Sequence, residues 1–259
     1  MSAPFNASSG YTVYAFLISA ILGILIYFFI AKYFTKNKIF IGFSVLAALF
    51  CAVDSAADFC VFIKDSLLSE TPIFLIAAVF VVVMVYAASK GKVVLLKFSL
   101  ISFFCTSILI VFFFLATLEN FENLNVFYVK EFEFSGLFET FAAYFKKIVF
   151  PVFVLPFFNG FYFEKPMKKP SLGGVAIGYG VLFLTIINSL FVFGEKFAQR
   201  VLYPYAAAVS TVTFGSFFTR LDGFEYIIYF SAVIVRVTTC VLVLKEICFK
   251  KRLWNSNLT

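Results

Sequence analysis

Long apolar runs separated by short polar intervals set the plan of this chain. A helix of roughly 20 apolar residues crosses the hydrocarbon core of a bilayer, and runs of about that length recur from one end of the sequence to the other. Tyr11 to Phe34 is a first span and Ile39 to Ile63 a second. Pro72 is well placed to open a third, which runs to Ala88. Phe98 to Leu118 is the fourth, Gly173 to Phe193 the sixth, Val201 to Phe218 the seventh and Phe224 to Leu244 the eighth. The last two meet at a polar corner, Phe217-Phe218-Thr219-Arg220-Leu221-Asp222-Gly223, which marks a membrane surface because Arg220 and Asp222 are too polar for hydrocarbon.

Between the fourth and sixth spans the pattern changes. Glu119 to Lys147 is the longest polar interval, and within it Leu137, Phe138, Phe141, Phe145 and Ile148 recur at helical spacing opposite Glu139, Lys146 and Lys147. Residues 137–147 therefore form an amphipathic helix, either lying on the membrane surface or packed on the bundle. The fifth apolar segment, Ile148 to Phe163, is short and contains Pro151, Pro156, Asn159 and Gly160. Two prolines remove two helix hydrogen bonds and favour a break. Broken backbone at membrane depth survives only beside protein or a watery cavity, so the segment is either a broken span with a site or a simple proline kink. The Gly174-x-x-x-Gly178 spacing of the sixth span is a close-packing feature.

Composition agrees with the pattern. Hydrophobic residues make up 63% and charged residues 14%, and mean hydropathy is +1.01, against roughly 25% charged residues in an ordinary soluble domain. The net charge of +7 sits in short loops, after the first, third and fifth spans, as the positive-inside rule requires for an N-terminus outside. The tail basics Lys250, Lys251 and Arg252 run against that topology, and a re-entrant fifth segment would move them inside. No nucleic-acid partner is expected from this distribution. Met1 to Gly10 carry no charged side chain and lack the basic start of a signal peptide, so the first span is expected to stay in the membrane. There is no histidine, which removes His-based triads, H-E-x-x-H zinc sites and imidazole relays. Cys51, Cys60, Cys105, Cys240 and Cys248 show no C-x-x-C or paired spacing and read as small apolar residues, so no metal site or cofactor is expected.

Intramembrane charge is the main candidate chemistry. Asp54 and Asp58 stand four apart on one face of the second span, and Arg236 lies deep in the eighth. Asp54 is about 22 Å along its helix from Ile39 and Arg236 about 20 Å along its own from Gly223, so the two match in depth. Asp54, or else Asp58, is expected to face Arg236, as a structural pair or as the lining of a solute or coupling-ion path.

At this point a family resemblance enters. The order Thr71-Pro72, Tyr86 followed by Lys90-Gly91, the acidic interval, Gly194, Pro204 and the Phe218-Thr219-Arg220-Leu221-Asp222 corner resembles the spore germination permease family. Its members are the B subunits of Ger-type nutrient germinant receptors, in the amino acid, polyamine and organocation transporter superfamily. Matched by position, the first span is similar to the family's second helix and the eighth to its ninth. The resemblance thus implies an all-α polytopic membrane helix bundle of about eight transmembrane helices. It would be a partial five-plus-five inverted-repeat fold lacking the first and last helices, either shortened or with its start placed late. Asp222 stands where the family often has glutamate.

In that fold the solute site lies at mid-membrane between two discontinuous helices, of which Ile148 to Phe163 corresponds to the second. Candidate contacts are Pro151, Pro156, Asn159 and Gly160, with Ser210, Thr211 and Thr213 facing them. The resemblance implies binding of a small nutrient such as an amino acid and signalling through A- and C-type receptor subunits, in a bacterial cell membrane, the spore inner membrane. The alternatives are a secondary transporter coupled through Asp54, Asp58 and Arg236, and a non-transporting scaffold subunit. Nothing points to an enzyme: the Tyr-Asp and Gly-x-Gly-Asp contexts of intramembrane aspartyl proteases and a nucleotide loop are both lacking.

Overall fold

Apolar runs have one low-cost solution in lipid, a helix that satisfies its own main chain, and the described elements of this protein are all helical. The structure is a computed structural model that describes residues 11–30, 38–121, 134–155, 172–198, 200–212 and 222–256, without the side chains at 38–41, 135, 172, 195–197, 222, 246 and 248–256. In chain order the helices are α1 (Thr12–Phe29), α2 (Lys38–Ser66), α3 (Ile73–Ser89), α4 (Lys92–Ala116), α5 (Phe134–Ile148), α6 (Leu172–Ala198), α7 (Pro204–Ser210) and α8 (Asp222–Ser256). Short 3-10 turns stand at Leu118–Asn120 and Phe150–Phe153.

Among the described residues five stretches are long and apolar enough to cross a membrane: Thr12–Phe29, Gly42–Ser66, Lys92–Ala116, Gly173–Gly194 and Gly223–Lys245. At 17 residues, Ile73–Ser89 reaches the lower limit of crossing length. The protein is an integral membrane protein built as a polytopic helical bundle. The outward face of α4, with Ile101, Phe104, Ile108 and Leu115 all more than half exposed, is the kind of surface that acyl chains cover.

Local chemistry sets the joints. Pro72 caps the start of α3, where its missing N–H costs nothing. Between α3 and α4 the chain turns at Lys90 and Gly91, and Gly91 takes a φ of 80°, which a side chain would resist. α6 is kinked at Gly194, whose φ of 68° and ψ of 162° belong to glycine almost alone. The seventh span, expected over Val201 to Phe218, contains a helix of seven residues, with Pro204 in its first turn. At its end Ser210 donates to the Ala207 carbonyl and Thr211 to the Ala208 carbonyl, each at 2.7 Å. Residues 213–218 of that expected span lie outside the described residues, as do 31–34 of the first and 156–163 of the fifth.

The chain divides into two units. The first comprises residues 1–25, 103–149 and 171–229, and the second 26–102, 150–170 and 230–259. In the first, Val13, Phe16 and Ala20 of α1 bury against Tyr144 and Ile148 of α5 and Ile186 and Leu190 of α6. Phe16 meets Tyr144 edge-on at 5.9 Å and stacks on Phe183 at 5.8 Å. A second cluster joins Ile110 and Phe113 of α4 to Tyr205 and Val209 of α7 and Ile228 of α8. In the second unit Phe59 of α2 sits between Phe80 of α3 at 4.9 Å and Phe230 of α8 at 5.4 Å. Ala48, Cys51, Leu95, Val154, Cys240 and Val243 form its core.

The amphipathic helix expected over 137–147 is α5, and its apolar face is packed on the bundle: Leu137, Phe141, Tyr144 and Ile148 lie on the α1 and α6 cluster. Phe138, expected on that face, points outward with Phe134, because a helix wide enough to cover two neighbours presents only part of its apolar sector to them.

Candidate functional site

The expected break is present where Pro151 predicts it. A residue at position 151 of a continuous helix would donate its N–H to the Lys147 carbonyl, and proline has none to donate. α5 accordingly ends at Ile148, and a 3-10 turn takes over at Phe150–Phe153. The Val149 N–H still reaches the Phe145 carbonyl at 2.9 Å, while the Val154 N–H turns back to the Pro151 carbonyl at 3.1 Å.

The depth of this helix end follows from its contacts within the first unit. Tyr144 is level with Phe16 of α1. One turn later the Ile148 carbonyl accepts the Tyr179 hydroxyl of α6 at 3.4 Å, and that hydroxyl lies against Gly23 of α1. Gly23 is about 16 Å along α1 from Thr12, half of a hydrocarbon core about 30 Å thick. α5 thus runs beside α1 and ends near mid-span. Beyond it, in the second unit, the 3-10 turn packs on α2, with Phe150 against Phe50 at 5.3 Å and Phe153 against Phe43 at 5.0 Å.

The charged candidates lie in the second unit. Asp54 and Asp58 on α2 and Arg236 on α8 are all half-buried. Arg236 and Asp54 both act electrostatically on the Cys51 sulfur. Arg236 and Cys51 in turn act on Cys240. Asp54 stands one turn along α2 from Cys51, and Arg236 one turn along α8 from Cys240. Among the described residues no group of three or more Cys, Asp or Glu side chains is placed to hold a metal.

Of the remaining candidates, Ser210 and Thr211 close α7, and Thr211 also accepts from the Asn120 amide at 3.3 Å. They belong to the first unit and Pro151 to the second. Asp222 is the first residue of α8. Pro156, Asn159, Gly160, Thr213 and Arg220 lie outside the described residues.

Polar groups that the sequence reading passed over stand in the first unit. Thr117 and Asn188 are fully buried and joined by a 2.6 Å hydrogen bond from the threonine hydroxyl to the amide oxygen. Glu225 is 3% exposed and acts electrostatically on the buried Tyr205 hydroxyl. The signal for Asn188 was available, since a lone amide inside an apolar run is costly unless paired. Glu225 was masked by its neighbours, because three residues from Asp222 it reads as part of a solvated corner.

No curated protein and no solved structure matches the chain. The family model described as spore germination protein, a spore permease family, matches residues 11–251. With the all-helical membrane bundle and the motifs noted above, that match over nearly the whole chain assigns it: the chain belongs to the spore germination protein family.

Proposed function

We propose that this membrane protein binds a small nutrient, such as an amino acid, and passes the signal to A- and C-type receptor subunits in the spore inner membrane, with its N-terminus outside. The observation that carries this reading is the end of α5 at Ile148, beside Gly23 near mid-span. A helix that stops there leaves oriented carbonyl dipoles where a ligand ammonium can use them, with no ionised side chain needed. Pro156, Asn159 and Gly160 continue the same segment, and the Asn159 amide is the side chain best suited to a ligand carboxylate. Replacing Asn159 by leucine should abolish nutrient-triggered germination at unchanged protein level. Germination at the normal nutrient dose would count against the site.

The Cys51, Asp54 and Arg236 neighbourhood favours a second reading, a secondary transporter in which these charges couple a cation to solute movement. Labelled amino acid taken up by proteoliposomes supports that reading, and binding without flux supports the receptor.

A further inference from the structure

A helix that ends inside a membrane must find donors for its last carbonyls, since no water is on hand to supply them. For Ile148 a donor is the Tyr179 hydroxyl, at 3.4 Å. Tyr179 stands on α6, far in sequence from α5, and its ring reaches the break because position 23 of α1 has no side chain. A Cβ on Gly23 would overlap the hydroxyl oxygen and crowd the ring carbons Cζ and Cε2 at 3.1 and 3.3 Å. Three helices thus meet at one point: α1 leaves the space, α6 brings the donor and α5 presents the acceptor. Tyr144 and Ile148 are held against Phe16, Ile186 and Leu190 by apolar packing, which has no preference for where the main chain opens. The hydroxyl contact does have one.

The structure assigns Tyr179 as a positioning residue that clamps the open end of α5 at mid-span, with Gly23 as its seat. The clamp itself is a property of the fold. Its consequence for sensing rests on the nutrient reading above: a loosened break should raise the nutrient concentration for half-maximal response and leave the maximal rate unchanged.

Hydrogen exchange of the full-length protein in lipid nanodiscs tests the clamp without any ligand, in wild type, Tyr179→Phe, Gly23→Ala and the double variant. Tyr179→Phe should speed exchange of amides 149, 150, 152, 153 and 154 about three-fold, the effect of one modest hydrogen bond, with amides 15–22 of α1 unchanged. Gly23→Ala, which drives the ring off its seat, should speed the same amides about ten-fold. The double variant should fall between Tyr179→Phe and Gly23→Ala, since phenylalanine removes the overlapping oxygen but leaves the milder contacts to Cζ and Cε2 at 3.1 and 3.3 Å. Unchanged exchange at 149–154 in Tyr179→Phe, equal acceleration along α1, or additive effects in the double variant would each overturn the assignment. Spores carrying wild type and Tyr179→Phe, exposed in turn to each of the twenty common amino acids, give the second readout. No response of wild type to any of them sinks the nutrient reading and leaves the exchange result to judge the clamp alone.

Discussion

Replacing Thr117 by valine removes a hydroxyl and preserves shape, which makes the Thr117 and Asn188 pair a clean test of the packing in the first unit. The hydroxyl has one proton, with the Asn188 amide oxygen at 2.6 Å and the Phe113 and Phe114 carbonyls at 2.9 and 3.0 Å as competing acceptors. Both residues are fully buried, and the Asn188 Nδ2 has no partner among the described residues. Thr117→Val therefore strips the amide oxygen as well. Leaving a buried group unmet costs about 1–3 kcal/mol in soluble proteins, and interhelical hydrogen bonds in membranes average about 0.6 and reach about 1.7 kcal/mol. The expected loss is therefore about 1 to 1.5 kcal/mol. Asn188→Leu should be neutral or stabilising, because it removes the unmet donor and frees the Thr117 hydroxyl for its own helix. The double variant should track Asn188→Leu. Titration of the protein from mixed micelles into SDS, followed by far-ultraviolet circular dichroism, reads all three. If Thr117→Val is silent while Asn188→Leu loses more than about 1 kcal/mol, the amide draws its support from elsewhere and the reasoning fails.

Other expectations use the same titration. Gly194→Ala places a side chain at φ 68° and ψ 162° and should cost about 1–3 kcal/mol; an unchanged midpoint would show that α6 does not need its kink. Asp54→Asn and Arg236→Gln should each destabilise, by up to about 3–5 kcal/mol if the two charges compensate one another, and the double variant should recover most of that loss. Additive losses would show that each charge has its own partner.

Five candidate spans were legible because crossing lipid is a one-dimensional demand: an apolar run of sufficient length satisfies it wherever it lies in the sequence. Pro151 was legible for a similar reason, since its missing N–H acts on a carbonyl four residues away. Family motifs such as Lys90-Gly91 were legible as strings, and Gly91 at φ 80° supplies their geometry.

What the sequence did not disclose depends on residues distant along the chain. The seven-residue length of α7, Pro204–Ser210, is something that an apolar count does not register. The packing of α5 on α1 and α6 depends on Tyr144 finding Phe16 and Ile148 finding Tyr179. Thr117 and Asn188 are 71 residues apart, and each alone is only an isolated polar side chain in an apolar helix. By itself the sequence determined five segments long and apolar enough to cross a bilayer and a main-chain break at Pro151, because apolar length and proline geometry act on each segment separately. The tertiary structure decided which hydroxyl meets the broken end and which threonine meets Asn188, because a side chain's hydrogen bond is defined only when two helices are brought within a few ångströms of each other.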